Sequence, residues 1–562
     1  MSDDLQIRLQ PKQWQLREAV LAVGENVPTT LGFGGSRGCA KSGAIRYISI
    51  ELVSRALDLA ISQPGIVVWI VRRVWDDLNK NHVKPLFEEF PSLKQYWHAQ
   101  DRELKIPVGT KSSSIFFIHA GDKGRSKRKA RGPQATFIFI DQAEEFTQEE
   151  IEQYDGSNRA PGFPPGFCKK ILTFNPGGVG TAYLRRVFHL RKFDENENPQ
   201  TFMFIQGYGW DNYEWFRGLG ISRKDFYSAD EYTREETFEH SGTVVTTNRK
   251  RFDLFINCTD FGRKLNGLRP SERIGELMGS FTRFSGQYYA DVWDSTALVL
   301  PAETVTRIVK PWWKRWLATD WGFSHWAPTL WATVGLLSPD DVHKIFNVRA
   351  AAPVPIVIVY RECVVNDTTE PDLAKLIVAL TPRGERREVR LHFIGHDAFA
   401  KKGSANTVVE QMDPELVKGG MQPLQRADID RMGGWRLLYN CWAEARKLRS
   451  PENGVYASTS GMPCLFISDA CVELQSAIPM LICDPDNPQD VQKVAGAIED
   501  DLGDCVRYLV KSYLSARYEQ PSDVTAAETY QKYQDPTDRA MAMLVLKAAQ
   551  ARSQRLERRR RF

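Results

Sequence analysis

Long apolar stretches are missing from this chain of 562 residues. The two longest, residues 65–71 and 353–360, fall far short of the roughly 20 residues that a membrane-spanning helix needs. The opening residues, MSDDLQIRLQ, also lack the basic start and apolar core of a signal peptide. We therefore expect a protein that neither crosses a membrane nor is secreted.

Cysteine pairs of the CxxC type are absent as well, because the nine cysteines are scattered along the chain. This argues against a zinc site and predicts reduced, mostly buried thiols in a cytosolic compartment. A strong net charge is missing too, since 74 Lys and Arg are balanced by 70 Asp and Glu to give +4. A polyanionic partner would therefore be met by local basic patches and not by bulk charge.

The chain is too long for one ordinary hydrophobic core, which predicts two domains or more. In the first half, short β-branched and aromatic runs alternate with helical stretches, which predicts an α/β domain with a mostly parallel sheet. We expect its strands at residues 66–71, 114–119, 136–140 and 170–174. In the second half we expect closely spaced strands of a mixed sheet at residues 316–319, 342–348, 355–365 and 389–394.

The predicted domain borders follow changes in composition. A segment rich in Gly, aromatics and charge separates the two α/β regions, and the last twelve residues hold six Arg against one Glu. Such an arginine-rich end is typical of a mobile tail. We predict a first domain over residues 1–262, a linker over 263–310, a second domain over 311–535 and a basic tail over 536–562.

A glycine-rich segment at residues 31–42 has the spacing of a nucleotide-binding phosphate loop, with Gly35, four residues, then Ala40, Lys41 and Ser42. Small residues let backbone N–H groups converge on phosphate oxygens, Lys41 neutralises charge, and Ser42 can ligate Mg²⁺. Ala40 departs from the usual second glycine, whose torsional freedom the position often needs. Taken alone, the segment is equally compatible with a glycine-rich turn before a helix.

A second motif makes the nucleotide site more specific. An apolar strand ends at Asp141, and parallel strands bring such an acid to the same crevice as the phosphate loop, where it can reach the Mg²⁺ shell. A water-activating carboxylate is expected directly after this acid, yet Gln142 stands there, and Gln cannot accept a proton at neutral pH. Either Glu144 or Glu145 supplies the base, or the chain hydrolyses ATP slowly as a natural or engineered trapped form.

Acidic residues in the second half follow a comparable pattern. Asp320 and Asp397 each end an apolar run, and Asp501 and Asp504 share one face of a predicted helix. Converging carboxylates repel one another unless a divalent cation holds them, which favours Mg²⁺ or Mn²⁺ as the ion. Two such ions could cleave a phosphodiester bond. Each acid by itself is better interpreted as a turn or helix-surface residue than as a metal ligand.

Together these motifs resemble the large terminase subunit, the motor and nuclease that packages DNA into the proheads of tailed phages. The resemblance also covers Gln13, which is similar to an adenine-binding Gln motif, and Arg37, four residues before Lys41. Residues 171–178 are similar to the coupling motif, and 267–293 to the linker between motor and nuclease. Without the family, residues 173–178 would be interpreted as a strand end followed by turn residues.

The resemblance implies an α/β fold class: an N-terminal P-loop NTPase, a parallel sheet flanked by helices, followed by an RNase H-like mixed-sheet nuclease domain. It implies ATP and Mg²⁺ in the motor, where Ser42 and Asp141 hold the metal, and Mg²⁺ or Mn²⁺, two ions, in the nuclease. The implied nucleotide-binding residues are Gln13, Gly35, Ser36, Arg37, Gly38, Cys39, Ala40, Lys41, Ser42, Asp141, Thr173 and Asn175.

In the nuclease, the resemblance implies metal binding by Asp320, Asp397 and the acids of residues 499–504. It leaves open whether Asp500, Asp501 or Asp504 is the ligand, and we favour Asp501, then Asp504. Glu362 is a weaker candidate on an adjacent predicted strand.

A basic loop precedes the Asp141 strand, with six basic residues among the nine at 123–131. It is either a DNA-phosphate contact or a solvated loop, and Arg131 is the preferred arginine finger toward a neighbouring subunit. Arg72 and Arg73, after another strand, could also face nucleotide or DNA, and Lys401 and Lys402 could border the cleavage cleft.

The implied partners are double-stranded DNA, the portal protein, the small terminase subunit and further copies in a ring, in the host cytoplasm and transiently on the prohead but not in the mature virion. Two other functions stay open: a helicase-nuclease of repair or defence, and a nucleotide-switched DNA-binding protein.

Overall fold

A computed structural model of the chain describes residues 9–54, 65–108, 111–121, 134–194, 197–282, 284, 286–323, 325–401, 406–451, 454–458, 460–494 and 497–514. The chain divides into two compact units, residues 1–291 and 292–562. The change of unit falls inside the segment 263–310, which the sequence predicts as a linker. No helix in the described ranges is long and apolar enough to cross a membrane.

An eight-stranded sheet forms the centre of the first unit. Its strands are β1 (Thr30–Gly35), β2 (Val67–Arg72), β3 (Trp97–His98), β4 (Glu103–Val108), β5 (Lys111–His119), β6 (Phe137–Asp141), β7 (Lys169–Phe174) and β8 (Phe202–Gly207). Their order is β3-β4-β5-β2-β6-β7-β1-β8, and only β3-β4 and β4-β5 pair antiparallel. The parallel sheet predicted for this half is confirmed.

Both faces of this sheet are covered. Successive side chains of a strand point to opposite faces, and in β2 Val68 and Ile70 join one apolar cluster while Trp69 and Val71 join another. The helices and helical turns on these faces are α1 (Pro11–Leu21), α2 (Lys41–Ser54), α3 (Trp75–Leu78), α4 (Lys84–Glu89), α5 (Gln148–Glu152) and α6 (Thr181–Leu184), with π-helical turns at Asn79–Val83 and Arg185–His189.

A smaller module follows β8 and has its own aromatic core around Trp210, Phe226 and Phe255. The hairpin of β9 and β10 belongs to this module. Its elements are α7 (Arg223–Ser228), α8 (Asp230–Thr233), β9 (Glu236–His240), β10 (Thr243–Thr247), α9 (Arg249–Cys258), α10 (Asp260–Asn266) and α11 (Pro270–Glu276).

The second unit is built on a seven-stranded mixed sheet, as the sequence predicts. Its strands are β11 (Val299–Leu300), β12 (Lys314–Thr319), β13 (Ala327–Leu337), β15 (Val354–Val365), β16 (Val389–Ile394), β17 (Leu424–Arg426) and β19 (Cys464–Ser468), and a separate pair consists of β14 (Arg349–Ala350) and β18 (Val455–Tyr456). The order is β11-β19-β15-β13-β12-β16-β17, with β13 antiparallel to both of its neighbours.

The strand predicted at residues 342–348 is wrong, because a helix covers most of this segment. The side chain of Ser338 accepts a hydrogen bond from the backbone of Asp341, and Pro339 starts the helix. Asn347 ends it in the left-handed conformation, with φ of 54°. These capping residues favour a helix, and the apolar side chains Val342 and Phe346 lie on one face, four residues apart.

The helices of the second unit are α12 (Ser295–Leu298), α13 (Ala302–Ile308), α14 (Pro339–Phe346), α15 (Glu370–Leu380), α16 (Arg383–Arg386), α17 (Val408–Lys418), α18 (Arg431–Arg449), α19 (Val472–Ala477) and α20 (Ile498–Leu514). Helix α20 packs against the inner strands β12 and β13. The Trp316 indole donates to the Leu509 carbonyl at 2.8 Å and stacks on Tyr513. This packing holds the acidic first turns of α20 near the end of β12.

Candidate active sites

The glycine-rich segment lies between β1 and α2, in the crevice at the carboxyl ends of the parallel strands. Gly35 and Gly38 have φ of 126° and 86°, and Ala40 has φ of 61°, so the position that lacks its usual glycine does adopt a left-handed conformation. The backbone N–H groups of the first turn of α2 have no acceptor within the helix. This arrangement can hold an anion such as a phosphate.

The side chain of Lys41 crosses the segment. Its Nζ donates to Asn175 Oδ1 at 2.7 Å and to the Ser36 carbonyl at 3.0 Å. Asn175 follows β7, which is six strands after β1 in the chain but its neighbour in the sheet. The structure thus places the predicted coupling residue directly on the predicted phosphate-binding lysine.

Asp141, at the end of β6, is buried and lies beside α2. Its Oδ2 is 3.3 Å from Ser42 Oγ, and its Oδ1 accepts from Thr173 Oγ1 at 2.6 Å. Burial by itself raises the pKa of Asp141, but the hydrogen bond from His82 and the charge of Arg72 hold that pKa well below its usual range. The carboxylate is therefore ionised, as a Mg²⁺ ligand must be.

Gln142, directly after Asp141, is engaged by an arginine. It has φ of 57°, and its Oε1 accepts a hydrogen bond from Arg72 Nη2. Arg72 also donates to the Asp77 carbonyl at 3.1 Å and lies 3.5 Å from Asp141 Oδ2. Arg72 thus contacts the acidic end of β6.

Glu144 and Glu145 have different surroundings. Glu144 is buried, its Oε1 accepts from Asn175 Nδ2 at 3.4 Å, and its Oε2 has no hydrogen-bond partner among the described residues. Burial raises the pKa of Glu144 to about 8. Glu145 lies near Arg72 and Arg73, whose charges oppose the rise in its pKa that burial causes. Only Glu144 combines burial with a direct contact to the Lys41-bound asparagine.

Of three further predicted residues of this site, the structure describes Gln13 and Arg37. Gln13 is buried, its Nε2 donates to the Ala40 carbonyl at 2.9 Å, and its Oε1 accepts from the Gln10 backbone, so it braces the glycine-rich segment. Arg37 is largely exposed, with Nη1 3.4 Å from Glu276 Oε2. Arg131 and the basic loop at 123–131 lie outside the described residues.

In the second unit, Asp320 follows β12 and Asp397 follows the adjacent strand β16. Asp397 Oδ1 and Asp320 Oδ1 lie 2.8 and 3.7 Å from one point, the position that a Cβ on Gly395 would take. Burial and the nearby carboxylates of Asp504, Asp501 and Asp397 raise the pKa of Asp320 well above its usual value. The two strand-end acids therefore converge.

The acids of α20 lie close to Asp320 but differ from one another. Burial and neighbouring carboxylates raise the pKa of Asp501 to about 7 and that of Asp500 to about 6. Asp501 Oδ2 and Asp500 Oδ1 are buried and have no hydrogen-bond partner among the described residues. Asp504 is instead bound by Arg431 and Arg507.

The weaker candidate and the flanking lysines add little to this cluster. Glu362 accepts from the backbone N–H groups of Glu473 and Leu474 at 2.8 and 2.9 Å, so it caps helix α19. Lys401 is exposed after Asp397, whereas Lys402 and the arginine-rich tail lie outside the described residues.

Within the described ranges, no three His, Cys, Asp or Glu side chains are already arranged to hold a metal ion. The carboxylates around Asp320 nevertheless suit a hard divalent cation. They are oxygen ligands, their charges repel one another unless a cation lies between them, and buried oxygens of Asp500 and Asp501 have no hydrogen-bond partner among the described residues. The residues present fit such an ion.

No protein-family model matches the sequence, and no curated protein matches it. Solved structures do match. The large terminase of bacteriophage HK97 covers 90% of this chain and 95% of its own, at 12% identity and a TM-score of 0.39. The large terminase of a thermophilic bacteriophage covers 90% and 100%, at 15% identity and a TM-score of 0.34. The nuclease domain of the P22 large terminase covers 40% and 90%, at 12% identity and a TM-score of 0.27. The chain is similar in structure to phage large terminases.

Several contacts around the glycine-rich segment and the two acid clusters come from residues that the sequence does not single out. His82 is fully buried on a π-helical turn, with Nε2 2.8 Å from Asp141 Oδ2. Asn212 and Trp215 both donate to the Gly38 carbonyl at 2.9 Å. Arg431 binds Asp504. Each is a single polar or aromatic residue far along the chain from its partner, and no local motif identifies it.

Proposed function

We propose that the chain is a terminase large subunit, an ATPase that moves double-stranded DNA into proheads and a metal-dependent endonuclease that cuts it. One observation carries the proposal: one polypeptide holds both an anion-binding loop beside an ionised Asp141 and a convergence of Asp320 with Asp397. A motor and a phosphodiesterase need these two constellations.

In the motor, Lys41 and Arg37 bind the phosphates with the backbone N–H groups of residues 38–42, because the N–H groups of Ser36 and Arg37 already donate to the Gly207 and Glu276 carbonyls. Ser42 and Asp141 hold Mg²⁺, which neutralises charge on the phosphates when bound. Gln13, which donates to the Ala40 carbonyl of the loop, is the residue that would contact adenine.

Glu144 is the general base in this proposal, because its orphaned oxygen and its raised pKa suit proton transfer near neutral pH. Gln142 is held by Arg72, and it orients the attacking water but does not deprotonate it. Asn175 contacts both Lys41 and Glu144, and Thr173 contacts Asp141, so both residues can sense loss of the γ-phosphate.

In the nuclease, Asp320, Asp397 and Asp501 hold Mg²⁺ or Mn²⁺. When bound, such ions activate water and stabilise the leaving oxygen. The protein's own contribution is to keep these carboxylates converged, with Asp320 buried, so that they could hold the ions against which a phosphate binds. Exposed Lys401, beside Asp397, is suited to contact the DNA backbone.

The partners follow from this role. They are double-stranded DNA, the portal protein, the small terminase subunit and further copies of the chain in a ring, in the host cytoplasm and transiently at the prohead. The basic loop with Arg131 would supply DNA or neighbouring-subunit contacts.

Reciprocal variants of the full chain test the proposal. Asp320→Ala should abolish Mn²⁺-dependent plasmid cleavage and leave ATP binding intact, whereas Lys41→Ala should weaken ATP binding and leave cleavage intact. Asp340→Ala, an acid in the first turn of α14, is the matched control and should change neither. Unchanged cleavage by Asp320→Ala refutes the nuclease assignment. Nucleotide binding without DNA-stimulated turnover would instead favour a nucleotide-switched DNA-binding protein.

A further inference from the structure

Asp504 is the most heavily bonded acid of α20. It is 5% exposed, and both of its oxygens accept from Arg431 Nη1 at 2.9 Å. Its Oδ1 also accepts from Arg507 Nε and Nη2 at 3.1 and 3.0 Å. Charge-assisted hydrogen bonds from two guanidinium groups already satisfy this carboxylate.

Arg431 uses its remaining donors to join other segments. Its Nε donates to Asp490 Oδ1 at 2.8 Å, and its Nη2 donates to the Val491 carbonyl at 3.0 Å. Its Nη2 also lies 3.7 Å from Asp500 Oδ1. One planar guanidinium therefore joins the first turn of α18, the segment at 490–491 and the acidic turns of α20.

Asp501 lies one helical turn from Asp504 and lacks such partners. It accepts the backbone N–H of Trp326, but its Oδ2 is buried and has no hydrogen-bond partner among the described residues. Its charge also acts on Asp320. On this helix, both oxygens of Asp504 accept hydrogen bonds from arginines, whereas Asp501 keeps one oxygen without a hydrogen-bond partner among the described residues.

We propose that Arg431 is a positioning residue anchored by Asp504, and that the two fix α20 so that Asp501 faces the metal ion with Asp320 and Asp397. This inference rests on the proposed metal-dependent nuclease function. In the opposing arrangement Asp504 would itself be a ligand, and Arg431 would compete with the ion for it.

The two arrangements predict opposite signs for one variant. If Arg431 positions α20, Arg431→Met and Asp504→Asn both weaken Mn²⁺ binding, by about 10-fold or more, as expected for groups that orient ligands. Because the two residues act as a unit, the double variant should bind no more weakly than the poorer single variant. If Asp504 is a ligand, Arg431→Met should tighten binding while Asp504→Asn abolishes it.

The measurement is isothermal titration calorimetry of Mn²⁺ into the full chain saturated with a non-hydrolysable ATP analogue and Mg²⁺. Asp501→Asn should remove the site, and Arg436→Met, an exposed arginine on the same helix, should leave it unchanged. Arg431→Lys keeps the charge but loses the planar fork, so it should also weaken binding. A circular-dichroism melting curve reports that each variant is folded, since the nucleotide analogue binds in the first unit and does not test the second.

Three results would overturn the inference: tighter Mn²⁺ binding in Arg431→Met, wild-type binding in Arg431→Lys, or wild-type binding in Asp501→Asn. If Arg431→Met fails to fold, the Lys variant decides. A failure of the proposed nuclease is recognised separately, because Mn²⁺ binding would then be missing from the wild type or unaffected by Asp320→Asn, and the inference would fall with it.

Discussion

Gly395 offers a way to separate the two converging carboxylates without touching either. Its φ of −54° and ψ of 152° are open to any residue, so Gly395→Ala causes no backbone strain. The added Cβ would lie 2.8 Å from Asp397 Oδ1 and 3.7 Å from Asp320 Oδ1. Ordinary contact needs about 3.5 Å, so the Asp397 carboxylate must move away by more than about half an ångström.

The expected effect is large on cleavage and small on stability. Misplacing a reacting group by about 1 Å can cost about 100-fold in rate, so we expect plasmid cleavage to fall about 10- to 100-fold. The Asp397 side chain is exposed, and alanine reduces the entropy of the unfolded chain, so the free energy of unfolding should change by less than about 1 kcal/mol.

The assay is Mn²⁺-dependent plasmid nicking, with ATP turnover measured on the same preparation. Gly384→Ala is the matched control, because a Cβ there meets nothing within 4 Å. Wild-type cleavage by a folded Gly395→Ala chain would show that Asp320 and Asp397 do not work on one phosphate. Loss of ATP turnover as well would indicate a wider structural defect.

Three other predictions concern the first unit. Glu144→Gln should lower ATP turnover, measured as phosphate release, by about 100-fold or more, whereas Glu145→Gln should change it little; equal losses would contradict the choice of base. Ala40→Gly relieves the strain of a left-handed alanine but increases the entropy of the unfolded chain. The free energy of unfolding should therefore rise by up to about 1 kcal/mol, seen as a slightly higher thermal midpoint, and a clear fall in the midpoint would count against the strain. Burial lowers the pKa of Lys169 to about 8, so between pH 8 and about 10.5 the unfolded chain binds more protons than the folded one. The wild type should therefore gain about 2 kcal/mol of stability over Lys169→Met as pH rises through this window. The lowered pKa would be refuted if the difference in free energy of unfolding between the two proteins did not change with pH.

The sequence predicts much of the fold because strands and helices carry local signals. The strands ending at Asp141 and Asp320 are apolar runs closed by an acid, and the parallel and mixed sheets follow from their spacing. The apolar residues of the segment 342–348 predict a strand only when the caps at Ser338 and Asn347 are left out. Capping is also a local signal, so this error was avoidable from the sequence.

The partners of the site residues were harder to predict. The site acids are found at strand ends, but Arg431 contacts Asp504 across 73 residues of chain, and His82 contacts Asp141 across 59. Such contacts depend on how helices pack, and single arginines or histidines are common on protein surfaces. The choice between Glu144 and Glu145 likewise depends on which side chain is buried against Asn175.

The most direct test is anomalous diffraction from crystals of the full chain grown with Mn²⁺ and a non-hydrolysable ATP analogue. We expect manganese at two separate places. One lies between the carboxylates of Asp320 and Asp397, and the other lies beside Ser42 and Asp141, with the analogue's phosphates on residues 35–42. Manganese with the nucleotide but none between Asp320 and Asp397 would contradict a chain that is both a packaging motor and a metal-dependent nuclease.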